Sequence, residues 1–252
     1  MYEIKEHSAK MDVINVRRWL LYTVATFGIL SPVLLYLLMK KWNEHVEADF
    51  EANSIIIDKL REVMQRKNII YGDYFNKLEK LNEEMMCYVR RPELITLLTI
   101  SLFYVPLSYM LYVMLRNIVL HSRLLNDFQK RINLALRSMN LGEIQIGTGE
   151  ELQSPYGYLV LGVILMLALP LILIVFGITR ILSGILYSGI VLKSITDIVL
   201  IPNVIPSISY IILGIIIALG YLVLWMRTCI TMFNKHLINE RSWRSKLEEH
   251  LK

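Results

Sequence analysis

Cysteine is nearly absent: Cys87 and Cys229 are the only two in 252 residues. One widely separated pair cannot make the disulfide framework of a small secreted domain. Charge is scarce as well. Asp, Glu, Lys and Arg supply 19% of the residues, where soluble globular chains carry about 25%. Catalytic signatures are missing too: the chain has no phosphate-cradling glycine loop, no Gly-x-Ser-x-Gly elbow, no Cys-x-x-Cys and no His-Glu-x-x-His. An enzyme is therefore not expected, and neither a cofactor nor a resident metal is implied. What is abundant is apolar surface. Hydrophobic residues reach 55% and mean hydropathy is +0.47, which points to an all-α, polytopic membrane protein.

A helix crosses the hydrocarbon core with about 20 apolar residues, so stretches without formal charge mark the expected spans. They are residues 19–39 (between Arg17-Arg18 and Lys40-Lys41), 94–115, 157–179 and 208–226. A fifth stretch, 181–201, is marginal because Lys193 and Asp197 lie within it. A charge at membrane depth costs about 2.5–3.5 kcal/mol on insertion scales, although the i,i+4 spacing of these two lets them pair on one helix face. The alternative for 181–201 is a helix lying flat at the interface. Together with Arg180, Lys193 and Asp197 form the candidate intramembrane polar site, read first as a structural pair and second as a functional one.

The polar stretches are patterned, not random. Residues 1–18 form a polar leader and 116–156 an amphipathic helix followed by a loop. The C-terminal stretch, 227–252, is again an amphipathic helix. Within 40–92 the apolar positions Val46, Phe50, Ile57, Leu60 and Met64 continue after a Tyr71-Gly72-Asp73 turn as Tyr74, Leu78, Leu81, Met85 and Tyr88. Heptad spacing in two adjacent segments predicts an antiparallel helical hairpin close to a short coiled coil. Its seam is expected to hold Phe50, Asn53, Ile57, Leu78 and Leu81, with Asn53 fixing register or else facing water.

The two ends of the chain repeat one another. Thr26-Phe27-Gly28-Ile29 leads through Tyr36 to Trp42-Asn43-Glu44-His45, and Ala218-Leu219-Gly220-Tyr221 leads through Trp225 to Phe233-Asn234-Lys235-His236. Asn117 and His121 make a fainter third copy. This pattern resembles an uncharacterised prokaryotic, often archaeal, family of small multi-pass membrane proteins. Its segments read T-x-G-I, then Tyr or Trp, then N-x-H. The resemblance implies an architecture and no chemistry. Asn43, His45, Asn234 and His236 carry it. A metal site would need His45, His121 and His236 to converge with carboxylates such as Glu44, Asp49 or Glu240, and helix-terminal histidines are the expected reading.

If both good copies point the same way, five spans place 17 Lys and Arg on one side and 9 on the other. The hairpin and the C-terminus are then cytoplasmic in a plasma-membrane protein. His121 falls on the side opposite His45 and His236. A rival arrangement uses Pro32, Pro106 and Pro170, each near the middle of its apolar segment, as the bends of re-entrant hairpins with every charged segment on one face. The net charge of +5 suits anionic lipid and gives no reason to expect nucleic acid. The expected function is a non-enzymatic membrane scaffold or assembly subunit that docks other membrane chains, or further copies of itself, through its amphipathic helices. The alternative is ion or solute conduction along kinked helices and the Lys193/Asp197 pair.

Overall fold

The computed structural model describes residues 13–69, 72–87, 104–145, 155–188 and 204–251, and every regular element among them is helical. In chain order these are α1 (Val16–Ala25), α2 (Ser31–Arg66), α3 (Tyr74–Met86), α4 (Tyr104–Ser138), α5 (Pro155–Gly162), a π-helical turn (Val163–Ala168), α6 (Leu169–Ser188) and α7 (Val204–His250).

The first apolar segment does not form one helix over 19–39. Asn15 caps α1 by accepting from the Arg18 amide at 3.0 Å, and the helix stops at Ala25. Phe27 and Gly28 then take φ of 49° and 82°, a left-handed pair that reverses the chain and for which glycine is suited. The Gly28 amide reaches back to the Thr23 carbonyl at 2.8 Å. Pro32 stands in the first turn of α2, where its missing N–H costs nothing. The segment thus doubles back, and Ile14 ends beside Asn234 of α7.

Two helices are long and apolar enough to cross a membrane: Pro155–Leu186, which runs through α5, the π-turn and most of α6, and Val204–His250. They lie antiparallel. Gly162 sits against Trp225, Gly214 against Pro170, and Gly177 against Ser207, while the Tyr221 hydroxyl donates to the Tyr158 carbonyl at 2.9 Å. Pro170 bends no hairpin here. The π-turn ends just before it, and the wider turn spares the proline ring the clash an α-helix would impose. The close approach at Gly214 shows that this glycine packs within the chain.

Five spans were expected, and two such helices are found among the described residues. Of 94–115, residues 104–115 open α4, which continues unbroken to Ser138; 94–103 lie outside the described residues. Of 181–201, residues 181–188 finish α6; the remainder, with Lys193 and Asp197, lies outside them as well. Arg180 is described, with its guanidinium 5.5 Å from the Phe176 ring centre.

At about 1.5 Å per residue, the 47 residues of α7 reach well beyond a bilayer core of about 30 Å. Its C-terminal half joins α2, α3 and α4 in a second core built on Ile56, Leu60, Leu78, Phe128, Ile132 and Trp243. The hairpin forms, but its seam on α3 is Phe75, Leu78, Asn82 and Met85, all buried. Tyr74 and Leu81 flank it and are half-buried, as is Phe50 on α2. The 4–3–4–3 count started one residue early because α3 must face α4 as well as α2. The Tyr74 hydroxyl accordingly donates to the Arg131 carbonyl at 2.7 Å. Asn53 does lie in the seam, fully buried, and its Nδ2 donates to Asn82 Oδ1 at 3.1 Å.

Candidate functional site

Three helices meet where the apolar hairpins give way to this second core, and each brings a histidine. On α2, Trp42, His45, Asp49 and Asn53 share one face at steps of 3, 4 and 4. On α7, Phe233, His236, Glu240 and Arg244 share one face at the same steps. Periodicity near 3.6 stacks such residues along the helix. The repeat read from the sequence therefore extends to aromatic–x2–His–x3–acid–x3–polar. Helix α4 adds His121 and Ser122. All three histidines, Asp49, Asn53, Glu240 and Arg244 are buried.

His121 therefore does not lie opposite His45 and His236. Its ring centre is 5.8 Å from that of His45 and 5.2 Å from that of His236. The reason is α4, which runs unbroken to Ser138 and packs residues 116–145 on the hairpin. The split of 17 basic residues against 9 assumed these were on opposite sides, and the packing removes that assumption. Of the three prolines read as re-entrant bends, Pro32 follows a true reversal, Pro170 does not, and Pro106 stands in the first turn of α4; residues 94–103 lie outside the described residues.

Each carboxylate is shared among three neighbours, with one oxygen on Arg244 and the other on two histidines. Asp49 Oδ1 pairs with the Arg244 guanidinium at 3.2 Å, while Oδ2 faces His121 Nε2 at 3.1 Å and His45 Nε2 at 3.3 Å. Glu240 Oε1 also meets Arg244, while Oε2 faces His45 Nε2 at 3.4 Å and His236 Nε2 at 3.7 Å. Arg244 further donates to Asn53 Oδ1 at 3.2 Å, so one guanidinium gathers both acids and the seam asparagine. Trp42 covers the cluster from one side, edge-on to His121 with ring centres 5.2 Å apart, and Phe233 stands beside His45 at 5.9 Å.

Burial sets the charge state. Desolvation lowers all three imidazoles: His45 and His236 fall to about 3 and His121 to about 4, so each is neutral at pH 7. Burial raises the Glu240 carboxyl, against the pull of Arg244. Three neutral imidazoles beside two carboxylates and one fixed cation make a set of lone pairs directed inward. Donor atoms of His45, Asp49, His121 and His236 all lie within 4.8 Å of one another, so these four could hold a metal ion.

Sequence reasoning named His45 and His236 through the repeat and mentioned Asp49 and Glu240, but missed the convergence and the parts of Ser122, Asn82 and Arg244. The usable signal was the acid four residues after each terminal histidine. Of the other repeat residues, Asn43 is buried on α2, and Asn234 turns away from the cluster to hold Ile14. Arg180 lies far along α6 and takes no part in it.

No protein-family model matches the chain, and neither a curated protein nor a solved structure matches it.

Proposed function

We propose that the chain is a non-enzymatic membrane protein that anchors a one-sided helical bundle at the bilayer surface and works as a subunit or scaffold of a larger assembly. The observation that carries this reading is the uneven use of apolar surface. In the bundle, the apolar faces of α2, α3, α4 and α7 are spent on one another. In the two spanning helices, less than a quarter of the apolar window is buried. Leu171, Ile172, Val175, Ile212, Leu213 and Ile216 all stand exposed. Lipid or neighbouring membrane helices must cover them. Docking by other chains then falls to the spanning helices and to the charged outer faces of the bundle, not to its apolar seams.

Among the described residues, two apolar helices enclose no lumen, which supports the scaffold reading over conduction by a single copy. The bundle is read as cytoplasmic, beside anionic lipid.

The test is mass. Native mass spectrometry and in-membrane cross-linking of the full chain should give species above the monomer. A strict monomer in mild detergent, together with no cross-linked product in native membranes, overturns the proposal.

A further inference from the structure

We infer that His45, Asp49, His121 and His236 form a structural binding site for a divalent metal ion of the zinc class, clamping α2, α4 and α7 together where the bundle meets the apolar hairpins. Zinc takes four N, O or S donors tetrahedrally at about 2.0–2.1 Å, which sets donor–donor edges near 3.4 Å. Asp49 Oδ2 lies 3.1 Å from His121 Nε2 and 3.3 Å from His45 Nε2, so two edges already have that length. Small side-chain rotations bring the remaining donors, all inside 4.8 Å, to the same spacing.

Hydrogen bonding points the same way. His45 Nε2 and His236 Nε2 are buried without a directed hydrogen-bond partner, a costly state for a polar atom. The tautomer of His236 is fixed by its neighbour. Ser122 Oγ gives its single proton to the Ile118 carbonyl at 2.7 Å, so at 3.0 Å from His236 Nδ1 it can only accept. Nδ1 therefore carries the proton and Nε2 presents its lone pair inward, the arrangement by which an outer hydroxyl orients a metal-ligating histidine.

The ligand set selects the metal. Three imidazoles and one carboxylate suit zinc and its borderline neighbours better than magnesium or calcium, which take oxygen-rich shells. Four protein donors in a closed, buried site leave no open position for substrate, which marks a structural role. Arg244 holds the outer oxygen of Asp49 and keeps its inner oxygen directed at the site. Glu240 stands alongside as a second carboxylate, balancing the ion's charge.

The experiment uses the full chain in detergent, stripped with a chelator and shown to be helical by circular dichroism, then titrated with Zn²⁺ and with Co²⁺. One ion per chain is expected, with the intense visible bands of tetrahedral Co²⁺ and a melting temperature that rises with Zn²⁺ concentration. His236→Gln should abolish those bands, and Ser122→Ala should weaken Zn²⁺ binding by about 10–100-fold. Should His236→Gln fail to fold, Ser122→Ala carries the test. A folded, stripped wild-type chain that takes up neither ion overturns the inference. So does uptake that is unchanged in the variants, which marks adventitious binding.

Discussion

The side chain of Asn234 makes two hydrogen bonds to the backbone of Ile14, 220 residues away in the chain. Nδ2 donates to the Ile14 carbonyl at 2.8 Å, and Oδ1 accepts from the Ile14 amide at 2.9 Å. One amide thus satisfies both polar groups of a buried residue, which a β-strand partner would otherwise supply. This contact closes the doubled-back first segment onto α7.

Asn234→Ala should therefore release the N-terminus. Leaving buried backbone groups unmatched costs about 1–3 kcal/mol. Thermal melts in detergent should register that loss. Hydrogen exchange should accelerate at residues 13–16 with little change in α3. Unchanged exchange at Ile14 would show that the contact is incidental.

Two glycines of the antiparallel apolar helix pair should behave oppositely. A Cβ on Gly162 would fall 2.3 Å from Trp225 Cζ3, whereas a Cβ on Gly220 meets nothing within 4 Å. Gly162→Ala is expected to cost about 1–3 kcal/mol through overpacking and to be relieved by shrinking Trp225 to Leu. Gly220→Ala should be neutral or stabilise by up to about 1 kcal/mol through reduced freedom of the unfolded chain. Melting temperatures of the three variants decide it, and equal effects at both glycines would rule out the described helix pairing.

Much of this architecture was legible because lipid and water impose different patterns. The apolar lengths of 157–179 and 208–226 marked the two helices long and apolar enough to cross a membrane, and the heptads of 40–92 found the hairpin with Asn53 in its seam. Residues 19–39 misled because a helix that stops and turns back into the next has the same hydropathy as one span. The difference rests on Phe27 and Gly28 in left-handed backbone, which a count of apolar residues does not register. The histidines were seen as a repeat motif, but their meeting depends on which ends of three helices coincide. Once 94–115 was read as a crossing between the hairpin and residues 116–156, His121 was forced to the wrong face. Arg244 escaped notice because a basic residue in an amphipathic helix is ordinarily solvated; only packing reveals it between Asp49 and Glu240.

Removing that guanidinium should be among the most damaging single changes in the bundle. Arg244 is 3% exposed, pairs with the carboxylates of Asp49 and Glu240 and donates to Asn53. Breaking a buried ion pair from one side costs about 3–5 kcal/mol, because the surviving charge keeps its desolvation penalty. Arg244→Met should show that loss in a denaturant or thermal melt. The double variant Arg244→Met with Glu240→Gln should recover part of it by removing one stranded carboxylate. Additive losses in the double variant would mean the two residues do not share a network.

Alkaline pH offers a test at the junction of α3 and α4. Burial pushes the Tyr74 hydroxyl above its ordinary range, against a lowering influence from Arg131, and the phenol donates to the Arg131 carbonyl at 2.7 Å. Here the neutral form is the one the folded state favours. Tyrosine in the unfolded chain loses its proton near pH 10, whereas Tyr74 in the fold keeps it. The unfolded state then binds fewer protons, so its contribution to stability is complete below that pH and declines as pH rises past it. At pH 7, Tyr74→Phe should cost about 0.5–1.5 kcal/mol for the lost hydrogen bond. Above pH 10 the gap between wild type and variant should narrow, because only the wild type carries this penalty. Melts across pH 8 to 11 measure the gap directly, and a gap that stays constant would show that the hydroxyl titrates as freely in the folded chain as in the unfolded one.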